Sequence, residues 1–232
     1  MKQVLLILFL INAGFSCSKQ DPGITEEKNM KTYQYLALGD SYTIGQSVPE
    51  PENFPNQAAA LLKNDSTQFK TRIIAKTGWT TDELEQGILN ANSADPLRSS
   101  YDFVSLLIGV NNQYRGRPVY EYRSQFEVLL QKAIQYAGNR PDHVVVLSIP
   151  DWGVTPFAEG RDRAEIAREI DEYNAVNREI SERYHIYYID ITPWTREAAN
   201  DPSLITSDGL HPSGKEYQRW AERIGDFFKS KL

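Results

Sequence analysis

Cysteine is nearly missing from this 232-residue chain, which holds one, Cys17. A single thiol excludes an intramolecular disulfide framework and any zinc site built on paired cysteines. Histidine is almost as scarce, with three residues, so imidazole chemistry has few places to reside. Long apolar runs are absent too: nothing approaches the roughly eighteen residues that a membrane-spanning helix needs. Positive charge is in deficit, with 25 Lys and Arg against 31 Asp and Glu and a formal charge of −6. That balance disfavours nucleic acid as the main partner, because neutralising phosphates takes a clustered basic face. What is present, 41% hydrophobic and 24% charged residues, suits one globular domain whose core needs no covalent staples.

The first residues read as an export signal. Lys2 gives a minimal positive start, residues 4–11 are purely apolar, and Ala13, Gly14 and Ser16 lead to Cys17. The layout resembles a bacterial lipoprotein signal, with Cys17 in the place of the lipid-modified residue. Gly14 departs from that pattern, which usually has a larger aliphatic residue third before the cysteine. The resemblance implies a cleaved segment 1–16, a polar tether 17–31 containing Pro22 and Gly23, and a folded domain over 32–232. It also implies export to a bacterial cell envelope, periplasmic or surface, with the membrane touched only through the lipid. A plain signal peptide that happens to end near a cysteine is the alternative.

Five short apolar runs, at 33–38, 69–75, 101–108, 143–149 and 186–191, are each closed by a nearby Gly or Pro. With little alternation, they predict strands buried on both faces. Helical spacing fills the intervals. Ala58, Leu61 and Leu62 share one side of 54–63, and Thr80 or Thr81 with Glu83 makes a capping-box start for 80–90. Tyr122, Phe126, Leu129, Leu130 and Ile134 mark 119–138, stopped by Gly138. Ile166, Ile170, Tyr173, Val176 and Ile180 mark 162–184, and Tyr217, Trp220, Ile224 and Phe228 mark 213–229. Five strands alternating with five helices predict an α/β fold with a parallel sheet covered on both faces.

All carboxyl ends of a parallel sheet share one edge, where ligands bind. Gly39-Asp40-Ser41 follows the first strand, Lys76-Thr77-Gly78 the second, and Gly109-Val110-Asn111-Asn112 the third. The segment Ser207-Asp208-Gly209-Leu210-His211-Pro212 precedes the last helix. A serine hydroxyl is a weak nucleophile until a base takes its proton. His211 can be that base, with Asp208 three residues earlier to orient it and stabilise the imidazolium. The N–H groups of Ser41 and Gly78 and the Asn111 amide are candidates to stabilise an oxyanion, and glycine at 78 allows close approach of backbone to substrate. Each residue also has a plainer use. Ser41 could cap a helix, His211 could be an ordinary loop residue, and Asn111 and Asn112 could be turn residues. Neither G-x-x-x-x-G-K-S/T nor G-x-G-x-x-G accompanies Asp40-Ser41, which disfavours a phosphate loop. His143 and His185 fall at strand beginnings, the opposite edge, and read as structural. Asp151, Trp152 and Thr155, with Trp79, Tyr114 and Phe157, suit either pocket or loop packing.

Taken together, these segments resemble the SGNH, or GDSL-type, hydrolase family, from about Tyr33 to the end of the last helix. Gly39-Asp40-Ser41-Tyr42 resembles the nucleophile block, with Tyr42 where the named motif has leucine. Gly78 matches the second block and Gly109-Val110-Asn111-Asn112 the third, normally Gly-x-Asn-Asp. Asp208-Gly209-Leu210-His211 matches the final Asp-x-x-His block. The resemblance implies a three-layer α/β/α sandwich with a five-stranded, flavodoxin-like sheet. It implies a serine esterase that cleaves short-chain or O-acetyl esters of carbohydrate or lipid through an acyl-enzyme, without metal or organic cofactor. Ser41, Asp208 and His211 would form the triad, and Ser41, Gly78 and Asn111 the oxyanion hole. Asp40, Tyr42, Trp79, Asn112 and Trp152 are expected around the substrate. Asn112 in place of an acid puts the support of neighbouring loops in question, since an amide offers one acceptor oxygen and two donors. The rival reading, for which Asn112 speaks best, is a non-catalytic surface carbohydrate-binding protein on a degenerate hydrolase fold.

Overall fold

A computed structural model describes residues 30–232; the signal segment 1–16, Cys17 and nearly all of the tether 17–31 lie outside the described residues. The five predicted strands are β1 (Lys31–Asp40), β2 (Thr67–Lys76), β3 (Phe103–Leu107), β4 (Val144–Leu147) and β5 (Tyr187–Ile189). They form one parallel sheet in the order β2-β1-β3-β4-β5. Strand order therefore reverses between β1 and β3, and a crevice opens there at the carboxyl edge.

The helices are α1 (Ser41–Ile44), α2 (Phe54–Leu61), α3 (Thr81–Ala94), α4 (Val110–Tyr114), α5 (Val119–Tyr136), α6 (Arg163–Arg183), α7 (Thr192–Arg196) and α8 (Gly214–Lys229). Right-handed crossovers in this order put α2 and α8 on one face and α3, α5 and α6 on the other. The packing agrees: α2 rests on α8, and α5 touches both α3 and α6. The fold is the three-layer α/β/α sandwich.

Burial on both faces holds for β3 and β4 and for the last six residues of β1. It does not hold for β2 and β5, which are edge strands that the helix layers cover over only part of their width. Tyr187 in β5 is 39% exposed as a result. The amino edge of the sheet is plugged by aromatic rings. Tyr33 stacks on Phe69 at 5.2 Å, Phe103 on Phe228 at 4.2 Å and His143 on Phe103 at 5.3 Å. Fully buried rings such as Tyr35, Tyr122 and Trp220 each contribute about 1.5–3 kcal/mol by leaving water. Their polar tips are paired where they meet the sheet, Tyr35 Oη lying 2.7 Å from Ser105 Oγ. His185 closes the turn before β5, so both of the other histidines do lie at the amino edge.

Candidate active site

The segment that holds Ser41 is shaped by close approach. A Cβ on Gly39 would lie 2.0 Å from Thr43 Oγ1 and 2.5 Å from the Leu107 carbonyl, so only glycine lets β1 run straight into α1. Asp40 then caps α1, its Oδ1 accepting from the Tyr42 N–H at 3.0 Å. Ser41 takes the first helical position, 4% exposed.

Gly78 has φ of +81°, a left-handed conformation that explains glycine there. Space is not the reason: an added Cβ would meet only the Arg115 guanidinium, at 3.6 Å. Asn111, at the start of α4, donates from Nδ2 to the Trp79 carbonyl at 3.0 Å and to Asp40 Oδ2 at 3.3 Å.

The final segment is folded around one carboxylate. Asp208 Oδ1 accepts from Thr206 Oγ1 (2.8 Å) and from the N–H groups of Leu210 (2.8 Å) and His211 (2.9 Å). Oδ2 accepts from His211 Nδ1 at 2.7 Å and from Ser47 Oγ at 2.6 Å. Burial works against the charge, but the donors outweigh it and hold Asp208 well below the usual carboxylate range. An ionised carboxylate can only accept, so Nδ1 carries the proton of the neutral ring and Nε2 is left as the acceptor. Burial lowers the His211 pKa below its ordinary value, against the opposing pull of Asp208. The imidazole is therefore neutral near pH 7, the form a general base requires.

Ser41, His211, Gly78 and Asn111 line one cavity of about 170 Å³. Its remaining wall is largely apolar, built from Tyr42, Val110, Tyr114, Trp152, Phe157 and Leu210. The Tyr42 ring lies 5.0 Å from the imidazole. Trp152 meets Tyr114 edge-on at 5.2 Å and is anchored by its Nε1 donating to Gln113 Oε1 at 2.7 Å. Two larger grooves, of about 540 and 550 Å³, lie at the amino edge beside the starts of β2 and β5, away from Ser41. Among the described residues no group of three or more His, Cys, Asp or Glu side chains is placed to hold a metal ion.

Three residues expected around the substrate are elsewhere. Asp40 is fully buried beneath the site, where it serves Tyr42 and Asn111. Its carboxyl is pushed up to about 7 by burial, which two neutral donors do not offset. The Trp79 ring covers Gly87, where a Cβ would lie 2.1 Å from it, and only its carbonyl reaches Asn111. Asn112 is fully buried and clips α4 to the start of α3: Oδ1 accepts from the Thr81 N–H at 3.1 Å, and Nδ2 donates to Thr81 Oγ1 at 2.7 Å. Thr81 passes its own hydroxyl proton on to Gln125. A carboxylate could not donate in this chain, so the amide supports the loop that an acid was expected to support. Tyr42 and Trp152 do line the cavity. Asp151 and Thr155 do not, Asp151 being bound to Arg196 at 2.8 Å and to the Gly153 N–H at 2.8 Å. Ser47 and Gln113 were missed, since nothing local marks a serine whose partner lies 161 residues on.

The profile of the GDSL-like lipase/acylhydrolase family matches residues 37–219, which hold all four segments. The chain belongs to that family. This GDSL-family protein is accordingly a carboxylic ester hydrolase by descent. An acetylxylan esterase from Geobacillus stearothermophilus is 23% identical to it over 202 residues, 77% of this chain and 85% of the relative. A lipase/acylhydrolase from Enterococcus faecalis superposes with a TM-score of 0.64 at 20% identity, covering 86% of this chain and 97% of the other. A psychrotrophic esterase from Pseudoalteromonas sp. gives 0.63 at 17% identity, covering 86% and 98%. Likenesses at this identity carry the fold.

Proposed function

We propose that this GDSL-family protein is an exported serine esterase that removes short acyl groups, acetyl foremost, from carbohydrate. The carrying observation is the neutral His211, held by an ionised Asp208, facing the same small cavity as Ser41. Ser41 Oγ attacks the ester carbonyl while His211 Nε2 takes the hydroxyl proton. The tetrahedral oxyanion is met by the N–H groups of Ser41 and Gly78 and by Asn111 Nδ2. The Asn111 hydrogen that reaches Asp40 over 3.3 Å is the one free to be shared with it. Collapse breaks the ester C–O bond, and His211 returns the proton to the departing alcohol. Water, deprotonated by His211, then attacks the acyl-enzyme; the acid leaves and Ser41 regains its proton.

Cavity size supports a short acyl group. At about 30 Å³ for a water-sized group, 170 Å³ holds five or six of them. An acyl group from acetyl to butyryl fills it, and a fatty chain would have to run on past its walls. Tyr114 and Phe157, 42% and 45% exposed beside the opening, offer aromatic faces on which a sugar ring can rest. The acetylxylan esterase relative supports the same alcohol class. The layout of residues 1–17 supports export with a lipid on Cys17.

The test is a panel of 4-nitrophenyl esters and acetylated xylo-oligosaccharides, with fluorophosphonate labelling of Ser41. We expect acetyl and propionyl esters to exceed octanoyl at least tenfold in kcat/KM, and Ser41→Ala to abolish labelling and turnover. A folded wild-type protein that neither labels nor turns over any ester would restore the binding-protein reading, which Asn112 itself no longer favours.

A further inference from the structure

The loop that leaves α1 ties three of the four site segments together. Gly45 ends the helix in a left-handed conformation, Gln46 Oε1 accepts from Thr77 Oγ1 at 2.5 Å beside Gly78, and Ser47 reaches Asp208. Ser47 Oγ donates at 2.6 Å to Oδ2, the oxygen that also accepts the His211 Nδ1–H at 2.7 Å. Among the described residues these two groups alone donate to Oδ2. Ser47 holds φ of +68°, a region where residues with a Cβ are uncommon and glycine is at ease. Serine there has one thing glycine lacks, a hydroxyl, and that hydroxyl is engaged.

We propose that Ser47 is a positioning residue of this site, its hydroxyl fixing the Asp208 carboxylate and drawing negative charge from the oxygen that holds His211. The proposal rests on the esterase reading above. Two donors on one oxygen compete for its charge, so the Ser47 bond limits how strongly the imidazolium is stabilised. The base stays neutral at lower pH, and the carboxylate cannot turn away from the ring.

Other groups face this pair, but none replaces Ser47. From α1 the Tyr42 ring lies against His211, and the Asp40 carboxyl is buried beneath it. From the loop after β4 comes Asp151, neutralised by Arg196. From α8 come Tyr217 and Glu216, the latter paired with Arg219. Thr206 donates to the other Asp208 oxygen.

Ser47→Gly and Ser47→Ala separate hydroxyl from backbone, because glycine relieves the left-handed strain that alanine retains. Both are expected to move the acidic limb of kcat/KM upward by several tenths of a pH unit. Both should also lower kcat about three- to tenfold with KM unchanged, while Ser47→Gly melts no lower than wild type. An NMR titration of the His211 ring in wild type and Ser47→Gly reads the same upward shift in protein that turns nothing over. Failure of the esterase reading would thus show as an inactive wild type, and failure of this one as an unmoved titration. An unmoved or downward limb in both variants overturns the proposal, as does a shift in Ser47→Ala that Ser47→Gly lacks, or a kcat loss with no pH shift.

Discussion

Asp40, at the end of β1 beside Ser41, and Asp208, in the loop before α8 beside His211, are the same side chain in two surroundings. Asp40 is fully buried and accepts from two neutral donors, a backbone N–H and an amide. Asp208 keeps 29% of its side chain exposed and accepts five hydrogen bonds. The first is pushed up to about 7 by burial, and the second is held well below the carboxylate range. Desolvation opposes ionisation in both but far more in the fully buried Asp40, so depth of burial and number of donors together decide which carboxyl is charged. One site thereby holds an anion against His211 and, next to Ser41, a carboxyl pushed up to about 7.

Replacing Asp208 by Asn breaks the comparison at its charged end. The amide accepts on one side only, so its NH₂ must face either the N–H groups of Leu210 and His211 or the Nδ1–H and Ser47 hydroxyl, and kcat/KM should fall about 10³- to 10⁴-fold. A loss under tenfold in steady-state kinetics would mean that His211 is held by something else. Stability follows with a definite sign. A depressed carboxyl stabilises the fold above its unfolded value of about 4 and stops doing so as pH falls through the folded one. Thermal melts should therefore show Asp208→Asn below wild type at pH 7, with the gap closing in strong acid.

Asp40→Asn tests the other end. The new amide can still serve the Tyr42 N–H with its oxygen, but its NH₂ then faces the Asn111 NH₂. Misdirecting that donor should cost about 10- to 100-fold in kcat with little change in KM. Its stability effect has the opposite sign. Between about pH 4 and pH 7 native Asp40 keeps a proton that the unfolded chain has lost, so wild-type stability declines as pH rises through that window. Asp40→Asn removes this decline, and its melting temperature relative to wild type should rise from pH 4 to pH 8. A constant offset would show that Asp40 is ionised throughout.

Trp152→Ala leaves both carboxyls alone and enlarges the cavity. A pocket discriminates by about 1–3 kcal/mol per methylene, so the butyryl-to-acetyl ratio of kcat/KM should rise about tenfold. The smallest effect is read in wild type itself. Burial holds His211 below its ordinary value, so the acidic limb of kcat/KM should lie below about pH 6.5, activity falling as the ring is protonated. A limb above that value would mean that Asp208 outweighs burial.

Much of the fold was legible because each apolar run is closed by Gly or Pro, which fixes where a buried strand stops. α1, α4 and α7 were not, since helices of four or five residues show no periodicity. Ser41, Gly78 and Asn111 could be grouped because a parallel sheet brings its strand ends to one edge, and Asp208 and His211 because an acid stands three residues before a scarce histidine. What stayed hidden depends on side-chain direction. Trp79 and Asn112 adjoin the site in sequence but turn toward α3. Ser47 makes its contact through a fold-wide closure that no spacing encodes.

Ile205 and Pro212 pair across the base of the Asp208–His211 loop, and Ser213 caps α8 directly after it. On the esterase reading, Ser41, Gly78 and Asn111 are all synthesised well before His211, which arrives only with α8, and α8 must dock on α2. A chain truncated ahead of that loop carries an ordinary alcohol at Ser41. On that reading, Ser41 has its base only once α8 is docked.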